Sequence, residues 1–439
     1  MNLEWALQWG WSVLNACLYL LLQPFYYISI LIVALGYRRQ MLLERKLFHT
    51  RVHSWAGQAW RVVWSGLIAG IVLSALGMFV SVHLNTASIV CLWVTTLLLM
   101  LVRVRYLCLA YSVGLLGVAQ FVLNVADGWQ PEGALGASLA AIRGLDIPAL
   151  LVLVAALHVA EALLVRWQGG KAATPLFVEG KRGRLVGGYR MEDLWPIPLL
   201  LLVPVQGGFT LPWTPLFGSS DAGAGYMLAA LPVLMGFSSV TLGYLPRQKA
   251  LLTSNRLLLY SVVLLLLSLL AAWWSPLMLL AALFSFLAHE ALIWYGNLEE
   301  GRLSPMFVHP EQGMRVLAVL PDSPATAMGI LPGEAIYRVN GVVVNSRAEL
   351  HQALRIHSAF CKLEVRNLQG EIKFVQRGMY DGDHHQLGVV LAPDEDANWA
   401  VSIQPASIYR ILAMHIGARR RKAGQAPKAE GVSLDTMEK

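Results

Sequence analysis

His289-Glu290 opens the His-Glu-x-x-His pattern of zinc hydrolases, but Ile293 stands where the second histidine is required. That chemistry needs two histidines one helical turn apart to hold the ion, with the glutamate acting on bound water. No Asn-Pro…Asp-Gly segment is present to supply a third ligand, so hydrolytic activity is not expected. His158 and Glu161 form a second polar pair within an apolar run. Ionisable groups at membrane depth are costly and often functional. Both pairs are nevertheless expected near the ends of their helices on the basic side, in structural or interfacial roles; ion coupling or ligand binding is the rival role. Gly218-Ser219-Ser220 has no base placed beside it and reads as a loop. Cys17, Cys91, Cys108 and Cys361 form no Cys-x-x-Cys pair, which leaves them as packing residues rather than a zinc site or a disulfide framework. His384 and His385 are adjacent, so on a strand they point to opposite faces and cannot chelate together. No catalytic residue, metal site or cofactor is expected.

The elements that carry these residues are mostly apolar. Of 439 residues, 56% are hydrophobic and only 14% charged, against about 25% charged in soluble domains. Charge is confined to short connectors from Leu3 to Tyr295 and rises from Gly296 onward, which divides the chain. The expected units are a polytopic transmembrane domain over 1–296, a small α+β domain over 303–392, and a tail over 393–439. No cleavable signal peptide is expected, because the apolar stretch Ala16–Leu35 is too long and lacks a basic lead.

About twenty apolar residues cross a bilayer as a helix. Nine helical spans are expected, at roughly 14–36, 62–82, 87–102, 106–126, 147–165, 192–208, 225–245, 257–273 and 276–295, or eight if the first lies on the membrane. The sixth is the weakest, since Pro196, Pro198 and Pro204 interrupt it. Alternate connectors carry seventeen Lys and Arg residues on one side, whereas the opposite set carries Arg143 alone. The basic side is therefore assigned to the cytoplasm, with the C-terminal domain on it. The net charge of +7 then has its source in loops facing anionic lipid headgroups, and nucleic acid is not an expected partner.

Strand and turn signals crowd the stretch from Met306 to Ala392. Ser323 can cap a short helix with Pro324 at its first position. Asn340-Gly341 predicts a type I′ hairpin turn, and Ser346…Glu349 a capping box opening a helix with Leu350 and Leu354 on one face. Ser323-Pro324-Ala325, Gly329, Pro332-Gly333-Glu334 and Val339-Asn340-Gly341, in this order, resemble bacterial PDZ domains of the type found beside membrane proteases. The resemblance implies a peptide groove in which an extended ligand is added as a strand beside a helix. Its carboxylate-binding loop would be Gln386-Leu387-Gly388-Val389, at the end of the domain as in a circular permutant. Gly388 would let backbone N–H groups approach a carboxylate, and Leu387 and Val389 would line the groove opposite Leu350 and Leu354. An ordinary last strand with a glycine bend is the plainer alternative.

Leu47–Val52-His53, Ala359–Val365 and Tyr380–Gly388 together resemble the MinJ family, polytopic membrane proteins of Gram-positive rods with a C-terminal PDZ domain. That resemblance implies a non-enzymatic role in division-site placement at septum and poles. The implied partners are the coiled-coil pole marker DivIVA and the MinD/MinCD inhibitor of FtsZ assembly, with a homo-oligomer left open. Beyond Ala392 come the acidic Asp394-Glu395-Asp396, a stretch from Trp399 to Ile416 spaced for an amphipathic helix, and Arg419–Lys422; residues after Lys422 are expected to be disordered. A transporter or channel regulated by the PDZ domain is the alternative function, followed by an inactive relative of a PDZ-containing intramembrane protease.

Overall fold

The computed structural model describes residues 3–48, 54–82, 86–126, 131–181, 183–218, 224–357, 359–378, 387–394 and 401. The first half is helical: α1 (Leu3–Leu22), α2 (Pro24–Phe48), α3 (Trp55–Gly77), α4 (Thr86–Val102), a 3-10 turn (Val104–Leu107), α5 (Leu109–Val125), α6 (Gly133–Arg143) and α7 (Ile147–Gln168). A three-stranded antiparallel sheet follows, β1 (Thr174–Glu179), β2 (Leu185–Gln206) and β3 (Ala224–Thr241), then α8 (Pro246–Trp273) and α9 (Leu277–Arg302).

Two of the nine expected helical spans are corrected here: 192–208 and 225–245 are the paired strands β2 and β3. Pro196 and Pro198, two residues apart, would each delete a bond from a helix and clash with the preceding turn. In β2 they cost nothing, because they share one parity and their nitrogens face the outer edge. Leu200, of the same parity, confirms the direction: its N–H turns away from β3 and donates to Ser74 Oγ on α3 at 2.9 Å. Directly across the ladder, the carbonyl of Ala230 turns outward on the other edge and accepts from Gln23 Nε2 at 3.1 Å. Backbone away from water must find such partners, and strands at membrane depth persist only where protein encloses them. Gly66 and Gly70 let α3 close on this edge: an added β-carbon would stand 2.5 Å from the carbonyl oxygen of Pro196 or Pro198. Trp195, Ile197 and Leu199 fill the other side and are almost wholly buried.

Among the described residues, four helices are long and apolar enough to cross a membrane: α3, α7, α8 and α9. A fifth crossing is available if Leu7–Leu22 and Pro24–Phe48, which meet at 54°, act as one broken span. α4 and α5 are apolar but short. Tyr189 pairs with Thr241, so β2 and β3 begin and end side by side, and the chain returns to the side it left. Replacing the two expected spans by one hairpin leaves the connectors before β2 and after β3 at the same end of the ladder.

The hairpin ends in an ionic latch. Glu300 of α9 accepts from Lys249 Nζ of α8 at 2.9 Å and from the backbone N–H groups of Leu242 and Gly243, and Glu299 pairs with Arg256. Beyond α9 lies the α+β module: β4 (Met314–Val319), α10 (Pro324–Ala327), β5 (Ala335–Val339), β6 (Val342–Val343), α11 (Arg347–Ile356), β7 (Phe360–Arg366), β8 (Ile372–Gly378) and β9 (Val389–Leu391). The sheet runs β8-β7-β5-β4-β9, with β6 on β5. The turn signals hold: Asn340 and Gly341 take φ of 52° and 85°. Ser323 Oγ accepts from Thr326 N–H, and Ser346 Oγ from Glu349 N–H. Glu349 reaches back to Asn345 N–H, one residue before the cap it was expected to serve.

Candidate functional site

The proposed groove residues gather on one side of the module. α11 places Leu350 and Leu354 one turn apart, and the chain entering β9 brings Leu387 and Val389 into the same apolar cluster. Leu387 and Leu350 are core residues, 2% and 4% exposed; Leu354 and Val389 are half-buried and form the surface part. Among the described residues β9 is the last strand of the sheet and pairs with β4 alone. Alternation along β9 divides its contacts. Val389 and Leu391 face the module's interior, whereas Val390 packs into the large core that also holds Trp195 and Tyr189.

Gly388 has φ +77°, a conformation open to glycine and strained for other residues. Its carbonyl accepts from Leu320 N–H at 2.8 Å, and that of Leu387 from Ala325 N–H at 3.0 Å, so the loop is tied to the segment that opens α10. An added β-carbon would lie 2.2 Å from Ser323 Cβ. Gly388 is thus needed for this close packing whether or not a ligand binds. Gln386, His384 and His385 lie outside the described residues, as do the tail from residue 402 and parts of the segments 47–53 and 218–220.

A joint that sequence patterning did not reveal fastens the module to the hairpin. Gly187 N–H donates to the Phe307 carbonyl at 2.8 Å, Tyr189 OH donates to the Leu317 carbonyl, and the Tyr189 and Phe307 rings meet edge to face. A β-carbon on Gly187 would come within 2.9 Å of Phe307 Cβ, and the Gly187-Gly188 pair was the one available signal for so close an approach.

The two polar pairs stand elsewhere than expected. His158 and His289 occupy the middles of α7 and α9, not their ends, and their rings meet with centroids 5.1 Å apart. Cys108, at the start of α5, lies 3.4 Å from His158 Nε2. Tyr111 OH donates to Glu290 at 2.9 Å, and Arg105 forms an ion pair with Glu290. Residues read separately along the chain become one cluster because α5 begins at the level where α7 and α9 are halfway along.

Comparison with known proteins covers nearly the whole chain. The cell division topological determinant MinJ of Bacillus subtilis is 28% identical over 403 residues, 90% of this chain and 99% of that protein. This chain is a homologue of MinJ. Probable MinJ determinants of Lacticaseibacillus paracasei and Lacticaseibacillus casei are each 26% identical over 359 residues, covering 81% of this chain and 91% of theirs. No family model matches, and no solved structure matches. The MinJ likeness spans the helices, the hairpin and the module together, so it concerns the assembled architecture and not the module alone.

Proposed function

We propose that this chain is a non-enzymatic membrane scaffold for division-site placement, with a cytoplasmic PDZ domain over 303–392 that captures a partner peptide. The observation that carries it is likeness to topological determinants along nearly the full length. Among the described residues β9 pairs with β4 alone and shares an apolar cluster with Leu354, which supports the peptide-capture part, since a ligand strand could add to its other edge. By resemblance the partners are DivIVA and MinD/MinCD, bridged at septum and poles. A micromolar groove is worth only about 8 kcal/mol, but confinement to one membrane raises the effective concentration of every partner. Basic connectors add attraction to anionic lipid headgroups.

Imaging a fluorescent fusion in dividing cells tests this role. Signal concentrated at new septa and poles is expected; uniform envelope signal argues against it. A transporter or channel gains one observation, the polar cluster buried among α5, α7 and α9. Solute flux through the purified chain in vesicles would favour that function over a scaffold.

A further inference from the structure

We propose that Cys108, His158 and His289 bind a zinc ion that ties α5, α7 and α9 together inside the helical domain. Their ligand atoms all lie within 4.8 Å of one another. A tetrahedral zinc with Zn–N and Zn–S bonds of about 2.0–2.3 Å separates its ligands by about 3.3–3.8 Å, so a modest contraction of side chains closes the set.

The hydrogen bonds around the cluster prepare it for a cation. His158 Nδ1 lies 2.7 Å from the Val154 carbonyl, which can only accept, so Nδ1 carries the proton and Nε2 presents a lone pair toward Cys108. His289 Nδ1 lies 3.0 Å from Tyr111 OH, whose proton is given to Glu290. The tyrosine oxygen therefore accepts from His289 Nδ1–H, leaving the second Nε2 bare as well. Arg105 holds Glu290 in place. Each imidazole is thus oriented by a hydrogen bond at Nδ1, the kind of support metal-binding histidines share. The His158 lone pair faces the Cys108 sulfur, and a ring nitrogen of His289 lies within 4.8 Å of both.

A nitrogen-and-sulfur set of this kind selects a borderline-soft ion such as zinc over magnesium or calcium, which take oxygen. Binding displaces the Cys108 thiol proton to solvent and forms one Zn–S and two Zn–N bonds. The fourth position falls to water or to the carboxylate of Glu161, one turn along α7 from His158. The spacing rule for His-Glu-x-x-His fails in this chain because the second histidine comes from a different helix. This inference does not depend on the scaffold role, and either could fail alone.

The test is metal analysis of the full chain purified in mild detergent without chelator. About one zinc per chain is expected, restored after chelation by zinc and not by magnesium. Cobalt substitution should give a thiolate-to-metal charge-transfer band that Cys108→Ser abolishes, while Cys91→Ser leaves both band and zinc content unchanged. Less than about a tenth of an equivalent of metal after zinc incubation overturns the proposal. So does a cobalt spectrum indifferent to Cys108→Ser, which would leave an ordinary thiol-to-imidazole hydrogen bond. Should His158→Ala or His289→Ala fail to fold, the wild-type zinc content and the two cysteine variants still decide.

Discussion

Gly66 of α3 rests directly on the carbonyl of Pro196 in β2, leaving 2.5 Å where a β-carbon would have to fit. Both contacting groups are tied down, one in a helix and the other in a proline backbone. Gly66→Val and Gly70→Val should therefore push the hairpin away, at about 1–3 kcal/mol or more each. Thermal melting in detergent measures this, with Gly57→Ala, whose nearest neighbour is 3.8 Å away, as the neutral control.

Ser74→Ala leaves the Leu200 N–H without its partner, and Gln23→Leu does the same to the Ala230 carbonyl. Each should cost about 0.5–1.5 kcal/mol, the net worth of a part-buried hydrogen bond. The two lie on opposite edges of the ladder, so the double variant should add within about 0.5 kcal/mol. A large coupling between them would show that the two edges are not independent.

Glu300 joins Lys249 to the end of β3, and the lysine side chain is only 5% exposed. Removing one partner of a buried pair strands the other charge. Glu300→Ala should lower stability by about 3–5 kcal/mol, whereas replacing both partners with apolar residues should recover much of that loss. Unfolding in detergent distinguishes these outcomes.

Leu354→Arg should weaken capture of a partner while leaving the fold intact, because Leu354 is a half-buried member of the cluster. Loss of tenfold or more in binding, with melting shifted by less than about 1 kcal/mol, is the expected pattern for a surface substitution. Leu387→Arg should unfold the module instead, since that side chain is 2% exposed. Gly388→Glu is a poor groove probe, as its collision with Ser323 would disturb the module regardless of any ligand. Normal partner recruitment by Leu354→Arg would defeat the groove assignment.

Reporter fusions after Glu300 and near Glu132 test the orientation. A cytoplasmic signal from the first and an external one from the second are expected from the lysine and arginine distribution. An external signal after Glu300 would place the module on the other side of the membrane.

Much of the module was legible in the sequence because its signals are local. Asn340-Gly341, Ser323-Pro324 and Ser346…Glu349 set turns and caps through their own backbone preferences, with no distant partner needed. The hairpin was legible only in part. A run such as Leu199–Val203 is apolar on every side, and an apolar run buried on all faces has the same composition in a helix and in a strand. The parity of Pro196, Pro198 and Pro204 was the clue, since three missing N–H groups on one edge fit a strand and break a helix.

The cluster of Cys108, His158 and His289 could not be read from spacing, since its members come from three helices. Sequence alone determined that the chain is membrane-class and that an α+β module follows, because composition and local turns carry those facts. Tertiary packing alone decided that two apolar runs pair as strands against α3. It also decided that the module docks on their base through Tyr189 and Phe307, and that two distant histidines meet a cysteine. Each of these depends on which faces come together in space, and a one-dimensional pattern does not encode depth within the fold.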